Sequence, residues 1–516
     1  MMLKLSRRRF AGSALMLAAA GVAECNPLAA LAGAGKTLPW ASDPRRPQYH
    51  LLPAANWMND PNGPIYWQGR YHMCYQYNPN GAVWGDMHWG HAVSPDMVHW
   101  RHLPVALAPT PGGPDAAGCF SGTAVVDGDR VGVLYTGVVS APEDEATIRD
   151  GANSLKETQC LAFASGRDLT EWTKDPRPVI AAPPAGMKVS GFRDPSPWRQ
   201  GDGWYMVVGS GIRGQGGAIL LYRSEDLRHW DYLHVVAGGP GSGMNAANPV
   251  DSGDMWECPD LFPLGGRHVL IYSCQGKAYW QSGDLDPQAL IFHPRRHGVL
   301  DYGSFYAPKT QLDGQGNRIL WGWVQETRPL AEYRAAGWAG LMSLPRVLTL
   351  DGDGELRMRV APAVDGLRQK PQVLRLSGGE EESQRRMAQM QVEGCCGEIL
   401  CTAKTSGAPV ALSLVGEDKQ TWLSVSYDAA HPDRIGIDDK WLPISGPENG
   451  ELAIHMYIDG SVIEVLIDER VAYTKRFYYT GSSAPRIGVR SDGKTASLAG
   501  LTLWQLSPIS ADRLTT

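Results

Sequence analysis

A chain of 516 residues with a formal net charge of -6 has no basic face for a nucleic acid or an anionic membrane. It is long enough for two or three domains, or for one large repeat domain with an appendage. Its 18 Trp against 8 Phe, with 60 Gly and 37 Pro, favour short strands, tight turns and flat aromatic surfaces, which suits a neutral small molecule or glycan, although most of the Trp should serve the core.

Residues 1–34 read as a twin-arginine-type signal peptide. Ser6-Arg7-Arg8-Arg9-Phe10 precedes an apolar run from Ala11 to Ala23 and small residues around Ala30-Leu31-Ala32. The run is too short for a permanent membrane helix, so the expectation is a periplasmic or secreted protein with no membrane anchor after cleavage. Of the nine cysteines, Cys25 leaves with the signal. The other eight show no CxxC spacing, which argues against a zinc site and leaves any disulfide pairing open.

From 45 to 350 the chain repeats a hairpin built on a turn glycine: Gly69, Gly128, Gly201, Gly265 and Gly314 each separate two apolar or aromatic runs. Ser94-Pro95-Asp96-Met97-Val98-His99-Trp100 recurs in kind at Ser165 to Trp172 and at Ser224 to Trp230. No amphipathic helix separates the hairpins, so the repeat predicts an all-β five-bladed propeller. Asp60, Ser121, Asp194, Glu257 and Tyr306 lie seven to nine residues ahead of the five turn glycines. In a propeller they share the innermost strands and face one axial funnel.

After Leu350 the texture changes. Residues 351–389 read as a linker and the start of a second unit, with a charged, solvated stretch from Ser377 to Arg386. Alternating runs return over 390–510, and Asp459-Gly460 marks a hairpin there, which predicts a C-terminal β-sandwich.

Paired carboxylates are what acid-assisted glycoside cleavage needs, one ionised to attack and one protonated to release the leaving oxygen. Asp60 lies in Trp57-Met58-Asn59-Asp60-Pro61-Asn62-Gly63, where the amides of Asn59 and Asn62 can keep it anionic. Glu257, between Trp256 and Cys258, is the better candidate for a carboxyl held neutral. Asp194 beside Arg193 reads either as a third functional acid or as a structural ion pair. His88 and His91 lack a third ligand nearby and read as ordinary strand-end histidines.

These segments resemble glycoside hydrolase family 32, the β-fructofuranosidases that include invertases, levanases and inulinases. The likeness runs from Asn56-Trp57 through Gly337-Trp338-Ala339-Gly340-Leu341 and resumes in the sandwich. Its wording is close to plant acid invertases at Tyr75 to Asp86 and at Met255-Trp256-Glu257-Cys258-Pro259-Asp260. The resemblance implies a five-bladed propeller with a β-sandwich, a retaining exo-acting mechanism, and neither metal nor other cofactor. It implies Asp60 as nucleophile, Glu257 as acid/base, and Asp194 with Arg193 as transition-state stabiliser. By the same likeness Asn59, Gln76, Trp84, Phe120, Ser121, Tyr306 and Trp338 line the pocket for a terminal fructosyl unit, core packing being the plainer reading of the two Trp. Sucrose or a levan- or inulin-type fructan is then the substrate. Pro64, Ser304 and Met342 depart from better-known members, which leaves substrate preference open. A fructosyltransferase using the same acids is the first rival, although Trp57 at the head of the motif goes with hydrolysis in the family. A non-catalytic fructan-binding protein is the second. A homo-oligomer is left open.

Overall fold

The computed structural model describes residues 43–510 apart from 151–152, 245, 376–384, 388, 405–408, 446–449, 480–483 and 492–497. The expected export signal and most of the charged stretch after Ser377 lie outside the described residues.

Five antiparallel sheets follow one another along the chain, each opening on an innermost strand: Asn56–Trp67, Gly118–Asp127, Val189–Gln200, Glu257–Leu264 and Phe305–Leu312. Each of these strands touches the next, and the fifth touches the first, so the sheets close radially into a five-bladed propeller. The closure is reinforced where Trp338–Ala339 pairs in parallel with Asn56 and Trp57 of the first blade. The strand after each turn, Arg70–Asn78 in the first blade, is buried almost throughout because neighbouring blades cover both of its faces. That is why these runs read as continuous aromatic and aliphatic residues rather than alternating ones.

The turn glycines Gly69, Gly128, Gly201 and Gly265 have positive φ, as their hairpins require. In the fifth blade Gly316 takes that conformation instead, and Gly314 packs under the ring of Tyr66. The repeated Ser-Asp-Trp segments are corners between a blade's third strand and its outer strand. Asp96 accepts from the amides of Val98 and His99 at 3.0 and 2.8 Å, and Asp226 accepts from Arg228 and His229 at 2.9 Å. Met97, Leu169 and Leu227 then turn through the left-handed region, and Trp100 and Trp230 donate back to the carbonyls of Met97 and Leu227.

The fifth blade extends past the boundary expected at residue 350. Leu356–Val360 pairs with Arg346–Leu350 as its outer strand, because Asp351 to Glu355 is only a tight turn. Beyond it, a six-stranded sheet that includes Cys396–Lys404, Glu451–Asp459 and Val462–Ile467 faces a five-stranded sheet that includes Val410–Val415 and Thr421–Tyr427. Ile399, Cys401, Ile454 and Met456 from the first and Leu412, Leu414 and Leu423 from the second fill the sandwich core. A separate apolar seam that includes Phe262, Ile271, Leu348, Tyr457 and Leu466 joins the sandwich to the fourth and fifth blades.

Candidate active site

All five innermost strands are irregular at the same height. In the first, Asn59 and Asp60 together oppose Gln76; in the third, Asp194 and Pro195 oppose Val208; in the fourth, Cys258 and Pro259 oppose Tyr272; in the fifth, Ala307 and Pro308 oppose Gly322. Ser121 is an extra residue in the second. These are β-bulges, and a proline inside one loses no ladder hydrogen bond. Asp194, Cys258 and Ala307, each just ahead of its proline, have φ of 65, 51 and 51°. A proline disfavours the right-handed helical region for the residue before it, and the bulge carries that residue into the left-handed one.

The three acids are therefore not equivalent along their strands, although their spacing from the turn glycines suggests so. Asp60 is the second residue of its bulge, Asp194 the first of its own, and Glu257 the ladder-paired residue ahead of a bulge. The bulges turn them toward one another. The Cys258 Sγ lies 3.4 Å from Asp194 Oδ2 and 3.7 Å from Asp60 Oδ2, so a single thiol touches both carboxylates while its neighbour in the chain is Glu257. Burial and the surrounding carboxylates push that thiol well up, which keeps it protonated and donating.

Asp60 accepts from Asn59 Nδ2 at 2.9 Å and from Ser121 Oγ at 2.7 Å, and Asn59 is itself oriented by Trp57 Nε1 at 2.7 Å. Asn62 does not share in this. It is fully buried on the other side of the strand, its amide oxygen taking Trp89 Nε1 at 3.1 Å and Gln76 Nε2 at 3.2 Å. Asp194 accepts from the Cys258 amide at 2.8 Å, and its own amide donates to Thr136 Oγ1 at 2.8 Å. Burial raises Asp194 to about 6, with Arg193 pulling it down and Glu257 pushing it up.

The surroundings of Glu257 differ from the expectation. Trp256 turns away to stack on Tyr272 with ring centroids 3.9 Å apart, so it supplies no apolar lid for the carboxyl. Instead Arg193 donates to Glu257 Oε1 through Nε at 3.2 Å and Nη2 at 2.8 Å, and the Tyr306 hydroxyl donates to Oε2 at 2.7 Å. Arg193 also donates through Nη1 to Glu157 Oε1 at 2.8 Å. Burial opposes its charge, but the carboxylates of Glu157, Glu257 and Asp194 outweigh that and hold the guanidinium well above its ordinary range.

Of the residues expected on the pocket wall, Trp84 is exposed and meets Phe120 edge to face at 6.0 Å. Gln76 is buried and donates to the Cys119 carbonyl at 2.9 Å. Trp338 is misplaced by the sequence reading. It is 0% exposed, packed beneath the guanidinium groups of Arg328, Arg46 and Arg476 at 4.5, 5.2 and 5.8 Å, and has no face left for a sugar. Its core-packing alternative is the correct one.

Glu157, Lys309 and Thr136 belong to the site and were missed. Lys309 is buried and donates to the Pro259 carbonyl at 2.9 Å, pinning the fourth blade's bulge. The available signal for Glu157 was a carboxylate in the run Glu157 to Ala162, since a charge inside a central strand needs a partner. His91, read as an ordinary histidine, is buried and 3.0 Å from His72 Nδ1.

Position of the acid/base candidate depends on Trp256, whose ring lies flat over Gly217: a Cβ there would fall 2.1 Å from Trp256 Cδ1. Gly217→Ala is therefore expected to cost about 1–3 kcal/mol by overpacking. Thermal unfolding reads the loss, and an unchanged melting temperature would show that the ring moves freely.

A ring of carboxylates at the axis of a five-bladed propeller, with a β-sandwich packed alongside, defines a glycoside-cleaving enzyme. The match to family models gives the particular family. The description "Glycosyl hydrolases family 32 N-terminal domain" covers residues 50–360 and "Glycosyl hydrolases family 32 C terminal" covers residues 365–505, so the chain belongs to glycosyl hydrolase family 32. It is 34% identical over 487 residues to a sucrose-6-phosphate hydrolase of Escherichia coli, spanning 89% of this chain and 94% of that one. Among solved structures it resembles a β-fructofuranosidase of Bombyx mori with a TM-score of 0.74 at 30% identity, covering 91% of this chain and 96% of the other. It also resembles fructan 1-exohydrolase IIa of Cichorium intybus with a TM-score of 0.73 at 27% identity, covering 90% and 98%.

Proposed function

We propose that the protein is a retaining, exo-acting β-fructosidase that releases fructose from the terminal β-fructofuranosyl unit of sucrose or a fructan. The observation that carries this reading is the contact of one thiol with both Asp60 and Asp194, directly beside Glu257 in the chain. Carboxyl groups drawn from three blades are thereby brought to one place at the propeller axis. The activities in the names of its relatives support the same substrate class.

In this reading Asp60, kept anionic by Asn59 and Ser121, attacks the anomeric C2. Glu257, carrying a proton, delivers it to the departing oxygen. The C2–O bond to the leaving sugar breaks as the bond to Asp60 forms. Glu257 then takes a proton from water, whose oxygen displaces Asp60 and frees fructose. Asp194, held by the Cys258 amide, faces the fructosyl hydroxyls as positive charge develops on the ring.

Initial rates on sucrose, raffinose, levan and inulin, with product analysis, test the reading. Fructose is expected as the first product from each chain that is cleaved. Short fructo-oligosaccharides accumulating from levan or inulin without matching fructose would exclude exo action, and transfer to sugar outrunning release would favour the fructosyltransferase. The twin-arginine route suggested by Ser6 to Phe10 would export the protein already folded. Fractionating cells that carry Arg7→Lys together with Arg8→Lys checks this: loss of the extracytoplasmic protein is expected.

A further inference from the structure

Glu257 poses a difficulty for the reaction just described. Both of its oxygens accept hydrogen bonds, one from an arginine and one from a tyrosine, an environment that favours the carboxylate. The first chemical step nevertheless requires the carboxylic acid.

Glu157 resolves it. This residue lies on Asn153–Ser165, the third strand of the second blade rather than its innermost one, and its side chain is fully buried. One oxygen accepts from Arg193 Nη1 at 2.8 Å and the other from the Phe192 amide at 2.7 Å. Gln159, two residues on along the same strand, takes hold of the Phe192 carbonyl at 3.0 Å. The arginine is thus fixed on a rigid strand and flanked by two carboxylates, one structural and one reactive.

We propose that Glu157 is a positioning residue that tunes the acid/base group: it divides the charge of Arg193 between two carboxylates, so that Glu257 can take up the proton which the first step delivers. This inference rests on the assignment of Glu257 as acid/base. The charged and titratable groups around Glu257 are Asp60 from the first blade, Glu157 from the second, Arg193 and Asp194 from the third, Cys258 and Cys274 from the fourth, and Tyr306 and Lys309 from the fifth. Two of these groups are cationic. Lys309 keeps its charge but donates to the Pro259 carbonyl, whereas Arg193 pairs directly with Glu257 at 2.8 Å. With Glu157 neutralised, the positive charge of Arg193 falls on Glu257 undivided. The carboxylate is then stabilised, and the protonated fraction is lost at lower pH.

The test is the pH profile of kcat/KM for sucrose in Glu157→Gln, which keeps the shape and an acceptor oxygen but removes the charge. The alkaline limb, which reports loss of the proton from the free enzyme's acid, is expected to move down by about one pH unit, with activity retained on the acid side. Above the limb this is a loss of up to about tenfold. Glu157→Asp, which restores the charge, is expected to return the limb toward the wild-type position. The position of a limb does not depend on the amount of folded enzyme, so partial misfolding lowers the curve without moving it. An unmoved limb, a uniform fall at every pH, or complete failure of the Gln variant to fold would each overturn the proposal and leave Glu157 a packing residue. A separate control isolates the underlying assignment. If Glu257→Gln keeps both its turnover and its alkaline limb, the assignment of Glu257 fails, whatever Glu157 does.

Discussion

Asp60→Ala is expected to lower kcat on sucrose by about four orders of magnitude or more, with the melting temperature within a degree or two of the parent. The chemical reason is that the covalent route has no substitute. Asp194 shares the Cys258 thiol with Asp60, but it is fixed by that thiol and by the Cys258 amide. It is not free to move to the anomeric carbon. Folding should be spared because Asp60 is only partly buried, so water can take the place of its carboxylate beside Asn59 and Ser121. Asp60→Asn makes the stricter version, since it keeps the shape and removes only the nucleophilic oxygen. The check is residual fructose release measured beside a thermal melt. Sucrose hydrolysis at the parent's rate by either variant would remove Asp60 from the reaction.

The propeller was legible because its signals are local. Turn glycines, Ser-Asp-Trp corners and acid-proline pairs each act within a few residues, and each is enforced by φ or by an adjacent side-chain acceptor. The three acids were legible for the same reason, since each stands within two residues of a proline. What spacing could not give is the aim of each side chain. In a bulge two residues oppose one, and counting along the chain does not say which of the two faces the axis, so Asp60, Asp194 and Glu257 looked equivalent and are not. Asn62 looked like a second amide for Asp60 for a similar reason, whereas the strand turns it toward Trp89. Partners from another blade were harder still. Arg193 and Glu157 are 36 residues apart, and no local pattern joins them. Trp338 was assigned to the pocket by likeness alone, and its burial by arginines drawn from three separate segments is a fact of tertiary packing.

Glu464→Ala is expected to cost about 3–5 kcal/mol of stability, because it removes one member of a buried charge network and strands the others. The network sits between the propeller and the sandwich. Arg346 of the fifth blade, fully buried, meets Glu464 at 2.7 Å and Asp301 at 2.9 Å, and Glu464 also accepts from the Leu344 amide at 2.7 Å. His50, from the segment leading into the first blade, bridges Asp459 at 2.8 Å and Glu464 at 3.1 Å. Burial alone would lower His50, but the two carboxylates raise it from 6.5 to about 9. Its folded form therefore holds the proton more tightly than the unfolded chain does, and the stability it adds is complete below pH 6.5 and lost as pH rises through about 9. Glu464 runs the other way: burial would raise it, yet Arg346 and His50 bring it from 4.5 to about 2, so its contribution is complete above pH 4.5 and lost as pH falls through about 2. The two domains are thus clamped most firmly between about pH 4.5 and 6.5. In Glu464→Ala, His50 keeps Asp459 but loses its second carboxylate, so its folded value drops toward 6.5 and the alkaline fall in stability should begin at lower pH. Urea unfolding across this pH range reads both effects. A variant as stable as the parent, with the same alkaline profile, would show that the charges at this seam are solvated and that the apolar contacts alone hold the sandwich to the propeller.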